Sequence, residues 1–229
     1  MFSKDQLIGF HLPDKTLCIT FDDGPGVTPN EGPGPKTLRL AEYLHKEDIV
    51  ATFFCVGQHI ELYPSILTEL DKLGHCIGHH TYSHPSLTAL FDAGEHSKVL
   101  MEMVKTDELI RKLIPDKPIY FRAPYGDWSP GLSLFLNHAF EQAIHYRGPY
   151  FWEINANDYS FWQNHQSANE CANAYLQLTE NVNHGMFLMH DSTANIDEMR
   201  LNNLTFETIK ILVPILKEQG YSFVGIDKL

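Results

Sequence analysis

Short apolar, β-rich runs alternate with amphipathic stretches of helical period along almost the whole chain. That alternation limits the possible folds more than any other feature. The runs fall at 17–21, 51–56, 76–78, 119–122, 150–154, 186–190 and 221–224. Between them, 36–48 sets Leu38, Ala41 and Leu44 on one helical face, and 65–74 carries Ile66, Leu67, Leu70 and Leu73 before a terminating Gly74. A long amphipathic helix is expected at 96–114, ending before Pro115. Another is expected at 200–220, bent at Pro214 and closed by Gly220. Strand–helix alternation of this kind implies an α/β fold with a parallel sheet, open or closed into a barrel. With 229 residues and no linker, repeat or low-complexity segment, a single domain over 1–229 is expected. Ligands of such folds gather where strands end and loops begin, so the strand ends carry the functional question.

Several of those ends are polar. The stretch TLCITFDDGPG (16–26) climbs through apolar residues and stops on two neighbouring acids, Asp22 and Asp23. Adjacent carboxylates at a buried strand end are costly unless a cation compensates them. The third run leads into His79, His80 and His84, the fourth into Arg122 and Tyr125, and the sixth into His190 and Asp191; Asp158 lies a little beyond the fifth. One turn of helix would bring His80 and His84 within about 6 Å of each other. Two histidines and a carboxylate are a common way to hold a divalent transition metal while leaving positions open for water and substrate. An isolated HxxxH is more often structural; the acidic strand end turns this one into a candidate site.

TFDDGP (20–25), HTYSHP (80–85), RAPYG (122–126), NANDY (155–159) and LMH (188–190) also stand in the order and character of the five motifs of the polysaccharide deacetylases. The chain resembles this metal-dependent carbohydrate esterase group (family 4) over roughly 16–225, with its motifs inside 16–190. The group includes chitin, chitooligosaccharide and peptidoglycan N-acetylglucosamine deacetylases. The resemblance implies a distorted (β/α) barrel of about seven parallel strands and removal of acetyl groups from an acetylated glycan. It implies that Asp23, His80 and His84 bind the metal, with zinc the default and cobalt, manganese or iron able to use the same ligands. Asp22 would be the general base, paired with Arg122, and His190 the general acid, oriented by Asp158. The backbone N–H of Tyr125 would stabilise the oxyanion, and Leu188 would line the acetyl pocket. Trp128 and the Tyr125 ring are expected in the sugar cleft, with Tyr159 where relatives usually carry a tryptophan; Trp162 could take over that stacking. Asn155 replaces a frequent acid, and His79 is expected to be a hydrogen-bonding group behind the ligands rather than a third histidine ligand. The loop 24–36, rich in Gly and Pro, is expected to form part of one cleft wall.

A balance of 17 Lys and Arg against 29 Asp and Glu gives a net charge of −12, which argues against nucleic acid and anionic membrane surfaces as partners. No run approaches the length of a membrane span. The first residues lack the pattern of an intact signal peptide, so a cytoplasmic location is expected unless a signal was removed. The four cysteines form no CxxC pair and read as reduced, buried thiols. Three rival functions share these residues: an O-acetyl esterase acting on xylan-type glycan, a two-histidine, one-carboxylate iron oxygenase, and a non-catalytic glycan-binding relative.

Overall fold

Seven strands build the sheet: β1 (Thr16–Gly24), β2 (Thr52–Cys55), β3 (Cys76–His79), β4 (Ile119–Phe121), β5 (Tyr146–Arg147), β6 (Gly185–His190) and β7 (Ser222–Phe223). The computed structural model describes residues 1–28, 32–115, 117–193, 195 and 197–229. Every ladder is parallel, in the order β5-β4-β3-β2-β1-β6, with β7 added to the start of β1. Strand β1 pairs with β2, β6 and β7 and is buried along its whole length.

Side chains alternate between the two faces of these strands. Leu17, Ile19, Phe21, Phe53, Phe121 and Phe187 join the larger core, beneath the helices. Cys18, Phe54, Tyr120 and Met186 point the other way into a second apolar cluster with Tyr150 and Ile226. Farther along that second face, towards the C-terminal strand ends, Thr20, Asp22 and Arg122 take over; all three are buried. The inner face therefore runs from apolar to ionic along its length.

The helices are α1 (Thr37–Lys46), α2 (Gly57–Leu62), α3 (Pro64–Lys72), α4 (Leu87–Asp92), α5 (His96–Leu113), α6 (Pro130–Ala139), α7 (Asp158–Gln163), α8 (Ala168–Val182), α9 (Asp197–Asn202) and α10 (Thr205–Glu218). In α5 the buried stripe Val99, Met103, Thr106 and Ile110 follows the helical period. Helix α8 opens with a full capping box between Ser167 and Glu170. Among the described residues, no helix is long and apolar enough to cross a membrane. The four cysteines are free thiols, with Cys18, Cys55 and Cys171 buried and Cys76 half-buried.

Two expectations need correction. The strand expected at 150–154 is not one: β5 lies earlier, and 150–154 makes only single bridges, Tyr150 to Leu7 and Ile154 to Phe187. Gly148, at φ 130°, and Pro149, which has no N–H, interrupt the pairing. The segment instead lies between the two edges of the open ladder. Tyr150 N–H donates to Phe121 at 2.8 Å, and Leu188 N–H donates to Ile154 at 2.9 Å. The helix expected over 200–220 is two helices, broken at Asn203 and Leu204 rather than at Pro214. The buried Asn203 side chain accepts from Thr205 N–H and donates to the His190 carbonyl, competing with helical bonding there.

Candidate metal and acid–base site

Adjacent residues of a regular strand point to opposite faces, so two neighbouring acids should not share a site. A β-bulge resolves this. Asp22 opposes Phe54 and Gly24 opposes Cys55, which leaves Asp23 as the extra residue of β1, in the left-handed region at φ 71°. The bulge re-aims the second carboxylate, and both acids line one cavity. Gly24 is required just beyond: a Cβ there would sit 2.4 Å from an Asp191 carboxylate oxygen.

Asp22 has its own cation. Arg122, fully buried, donates through Nη1 to Asp22 Oδ1 and to Thr20 Oγ1, each at 2.7 Å. Its Nη2 donates to the Phe151 carbonyl at 3.0 Å, and the guanidinium lies 4.2 Å over the Phe54 ring. A planar fork with this many partners holds the carboxylate in one orientation.

The histidine pair is not helical, contrary to the simplest expectation from its spacing. Strand β3 ends at His79, and the chain turns through 80–84 with positive φ at Thr81 (64°) and His84 (62°). Such a turn must be held from outside. Glu102, buried on α5, accepts at Oε2 from the N–H groups of Tyr82 (2.9 Å) and Ser83 (2.7 Å), and at Oε1 from the Ser83 hydroxyl (2.7 Å). His79 accepts Thr81 N–H at Nδ1, 3.1 Å, and contacts the Met103 carbonyl through Nε2, 3.0 Å. Burial pushes its pKa down to about 4 and keeps it neutral. It therefore stands behind the turn.

Asp23 Oδ1 lies 3.2 Å from His84 Nε2 and 3.6 Å from His80 Nε2. One ligand atom from each of the three residues lies within 4.8 Å of the others, and all three side chains are buried. His80 Nδ1 is 2.8 Å from the Arg122 carbonyl, which can only accept, so its proton sits there and the Nε2 lone pair faces the carboxylate. Burial and the nearby His84 hold His80 well below the usual imidazole range, in the neutral form a ligand needs. One carboxylate oxygen and two imidazole nitrogens at this spacing fit a mid-sized borderline dication, with metal–ligand bonds of about 2.0–2.2 Å.

Across the cavity stands the second pair. His190 Nδ1 is 2.7 Å from Asp158 Oδ1, and His190 N–H donates to Asp158 Oδ2, also at 2.7 Å. Asp158 is fully buried at the start of α7. An Asx turn presents it: Asn157 N–H donates to Asn155 Oδ1 at 2.7 Å, with Asn157 at φ 56°. Desolvation alone would lower the His190 pKa, but the charge and hydrogen bond of Asp158, aided by Asp23 and Asp22, push it up to about 10. Asp191, beside it, is raised to about 7 by burial; its hydrogen bond from Thr37 opposes the rise, while Asp23 and Asp22 add to it.

The cavity measures about 330 Å³ and brings together Asp22, Asp23, His80, His84, Tyr125, Tyr159, Leu188 and His190. Trp128, expected in the cleft, does not line it; its ring packs on Phe2 and Phe121, and its Nε1–H donates to Ser3. Trp162 is fully buried and unavailable for stacking. Trp152 lines the cavity instead, stacked on Phe151 with ring centres 4.0 Å apart. It stood in the aromatic run 150–152 with nothing in the sequence to separate it from its neighbours. The described part of the 24–36 loop lines a separate hollow near Lys36 and Arg39; 29–31 lie outside the described residues. Glu102, which holds the 80–84 turn, and Asn195, which lines the cavity, carried no motif signal.

A parallel α/β sheet with these pairs at its C-terminal strand ends belongs to the hydrolytic class in which a carboxylate, an Asp–His–His donor set and a His–Asp pair surround one small cavity. Residues 11–139 match the family model described as polysaccharide deacetylase, more than half of the chain. The chain belongs to the polysaccharide deacetylase family. It is 29% identical over 217 residues to the chitooligosaccharide deacetylase of Azorhizobium caulinodans, covering 90% of each protein. It is 32% identical over 111 residues to a peptidoglycan-N-acetylglucosamine deacetylase of Bacillus cereus; that match spans 48% of this chain and only 36% of the relative. The crystal structure of the Bc1960 peptidoglycan N-acetylglucosamine deacetylase superposes with a TM-score of 0.72 at 26% identity, over 94% of this chain and 87% of that one.

Proposed function

We propose that the chain is a metal-dependent N-deacetylase that releases acetate from N-acetylglucosamine-containing oligo- or polysaccharides. One observation carries the reading: an arginine-pinned carboxylate and a carboxylate-paired histidine face the same 330 Å³ cavity, with the Asp23–His80–His84 donor set beside them. A divalent cation held by those three residues, zinc by default and cobalt, manganese or iron as alternatives, would act as a Lewis acid and bring a water close to ionisation at neutral pH.

The chain's own residues supply the rest. Asp22 accepts the proton of the attacking water, and Arg122 holds its carboxylate in one orientation. The Tyr125 backbone N–H donates to the oxygen that gains charge as the acetyl carbon becomes tetrahedral. Leu188, with Tyr159 and Trp152 nearby, shapes the apolar space for the acetyl methyl group. His190, protonated at neutral pH because Asp158 holds its pKa high, gives its proton to the departing nitrogen. An amine must be protonated to leave, whereas an alkoxide leaves more easily. The strength of the His190–Asp158 pair therefore favours the N-acetyl over the O-acetyl substrate.

The test is acetate release from an N-acetylglucosamine tetramer after chelation and again with zinc restored, beside Asp22→Asn and with acetylated xylan in parallel. Zinc-dependent acetate from the tetramer, lost in Asp22→Asn, is the expected result. Acetate from xylan alone would make the protein an O-acetyl esterase. Stoichiometric zinc binding with no acetate from either substrate would favour a glycan-binding role.

A further inference from the structure

The two histidines of the donor set are wired differently. The Nδ1 of His80 meets a backbone carbonyl, a partner that can only accept. The Nδ1 of His84 meets the side-chain amide of Asn195, whose Nδ2 lies 2.9 Å away, and the same Nδ2 donates to the Tyr125 hydroxyl at 2.8 Å. The Tyr125 hydroxyl in turn donates to the His84 carbonyl at 3.2 Å. Asn195 is exposed, and it joins Tyr125 and His84 in lining the cavity.

An amide can serve a ring nitrogen in either sense, because a half-turn about its last bond exchanges the donor NH2 for the acceptor oxygen. With Nδ2 towards the ring, His84 Nδ1 accepts and the ring proton sits on Nε2, 3.2 Å from Asp23 Oδ1. When the Nε2 lone pair is given to a cation, the single ring proton must move to Nδ1, and that N–H needs an acceptor. The Asn195 oxygen, brought in by the half-turn, fills that role, and the Tyr125 hydroxyl can donate to the same oxygen. No net proton is gained or lost by the histidine; only the ring nitrogen that carries it changes.

We infer that Asn195 is a positioning residue for the cation centre: its amide turns to accept the His84 Nδ1–H and so holds the imidazole in the tautomer and orientation that ligation requires. The inference rests on the proposal that Asp23, His80 and His84 bind a divalent cation. It adds a residue five positions beyond the last sequence motif, joined to that centre through His84 and Tyr125. It also gives Tyr125 a second part, as the hydroxyl that keeps the amide's other partner satisfied in either orientation.

The experiment is zinc affinity of the chelator-stripped protein, measured by competition with a chromophoric chelator at pH 8, for the wild type, Asn195→Ala, Asn195→Leu and Asn195→Asp. Removing the acceptor is expected to weaken zinc binding ~10- to 100-fold in the Ala and Leu variants. The Asp variant keeps an acceptor at the same place and should stay within about threefold of wild type by the same reasoning. Because Asn195 is exposed, the melting temperatures of the stripped variants should match wild type. A nitrogen-15 histidine spectrum gives a reading independent of activity: in the stripped wild type the His84 proton should be on Nε2, and in the zinc-loaded form on Nδ1. Equal affinity in the Ala variant and wild type overturns the role of Asn195, and an Asp variant as weak as Ala overturns the acceptor argument. If the wild type itself binds no zinc, the failure lies with the cation site and not with Asn195.

Discussion

The two halves of the cavity are built to different standards. On one side, Asp22, Asp23, His80 and His84 are locked by many partners: Arg122 with its bonds to Asp22, Thr20 and Phe151, and Glu102 with three bonds to the 82–83 turn. Three positive φ angles, at Asp23, Thr81 and His84, are held in place there. On the other side, His190 leans on one carboxylate, Asp158, through two bonds. The first half is over-determined because several donors must converge on one point. The second half has one variable to set, the proton affinity of one ring, and one buried charge is enough for that. The halves should therefore fail in different ways: the first through ligand binding and folding, the second through pH.

The largest effect should separate the halves outright. Asp23→Ala removes one of three donors and should abolish both zinc binding and acetate release. His190→Ala should cost ~10²- to 10⁴-fold in turnover, the usual range for a lost general acid, with zinc affinity unchanged. Acetate assays run beside chelator competition check this. Loss of zinc binding in His190→Ala would show that the two halves are not independent.

Arg122→Met comes next. Arg122 has no solvent exposure, and its removal strands the Asp22 carboxylate in a buried position. Breaking a buried ion pair from one side costs about 3–5 kcal/mol, which a lowered urea midpoint at unchanged slope would reveal. A loss below 1 kcal/mol would mean that water or another cation reaches Asp22.

A smaller, pH-dependent effect probes the acid half. The pKa of His190 rises in the folded chain from an ordinary 6.5 to about 10. Stability from the Asp158 pair is therefore fully present below pH 6.5 and is lost as the pH climbs towards 10. Asp158→Asn should lower the melting temperature most near pH 6, with the gap to wild type narrowing by pH 10. The alkaline limb of acetate release should also move down towards the ordinary histidine range. A gap that is constant with pH would mean that the pair contributes geometry rather than charge.

Much of this was legible in the sequence, for a physical reason. Alternating strand and helix periods fix a parallel sheet, and the chemistry of such a sheet collects at its strand ends. Asp22, Asp23, His80, His84, Arg122 and His190 could therefore be named from position and residue type alone. The readings that failed depended on direction rather than placement. Trp128 and Trp152 are both aromatic and both near motifs, and only the packing of Phe2 and Phe121 draws the first away from the cavity. The 150–154 run has strand composition, but Pro149 and the crossing between sheet edges deny it a ladder. The bulge at Asp23 is invisible in sequence because it is a property of register, not of residue preference. Glu102 looked like any polar residue on an amphipathic helix.

That residue makes the finest test of the comparison. Glu102 touches neither the donor atoms nor the cavity, and it holds the 80–84 turn only by accepting three hydrogen bonds. Glu102→Gln keeps the shape but replaces one oxygen by an NH2 group, which must face either the two backbone N–H groups or the Ser83 hydroxyl. The hydroxyl can rotate to accept, so the amide nitrogen should take the Oε1 place and the backbone bonds should survive. Glu102→Ala removes all three acceptors and leaves backbone N–H groups unpaired at about 1–3 kcal/mol. The Gln variant should therefore lose only a small part of the melting temperature that the Ala variant loses, and keep its zinc affinity. The Ala variant should bind zinc several-fold more weakly because its histidine turn is no longer held before the cation arrives. If Ala lowers stability without touching zinc affinity, the turn is set by Thr81 and His79 alone, and the over-determination of this half reaches no farther than its own loop.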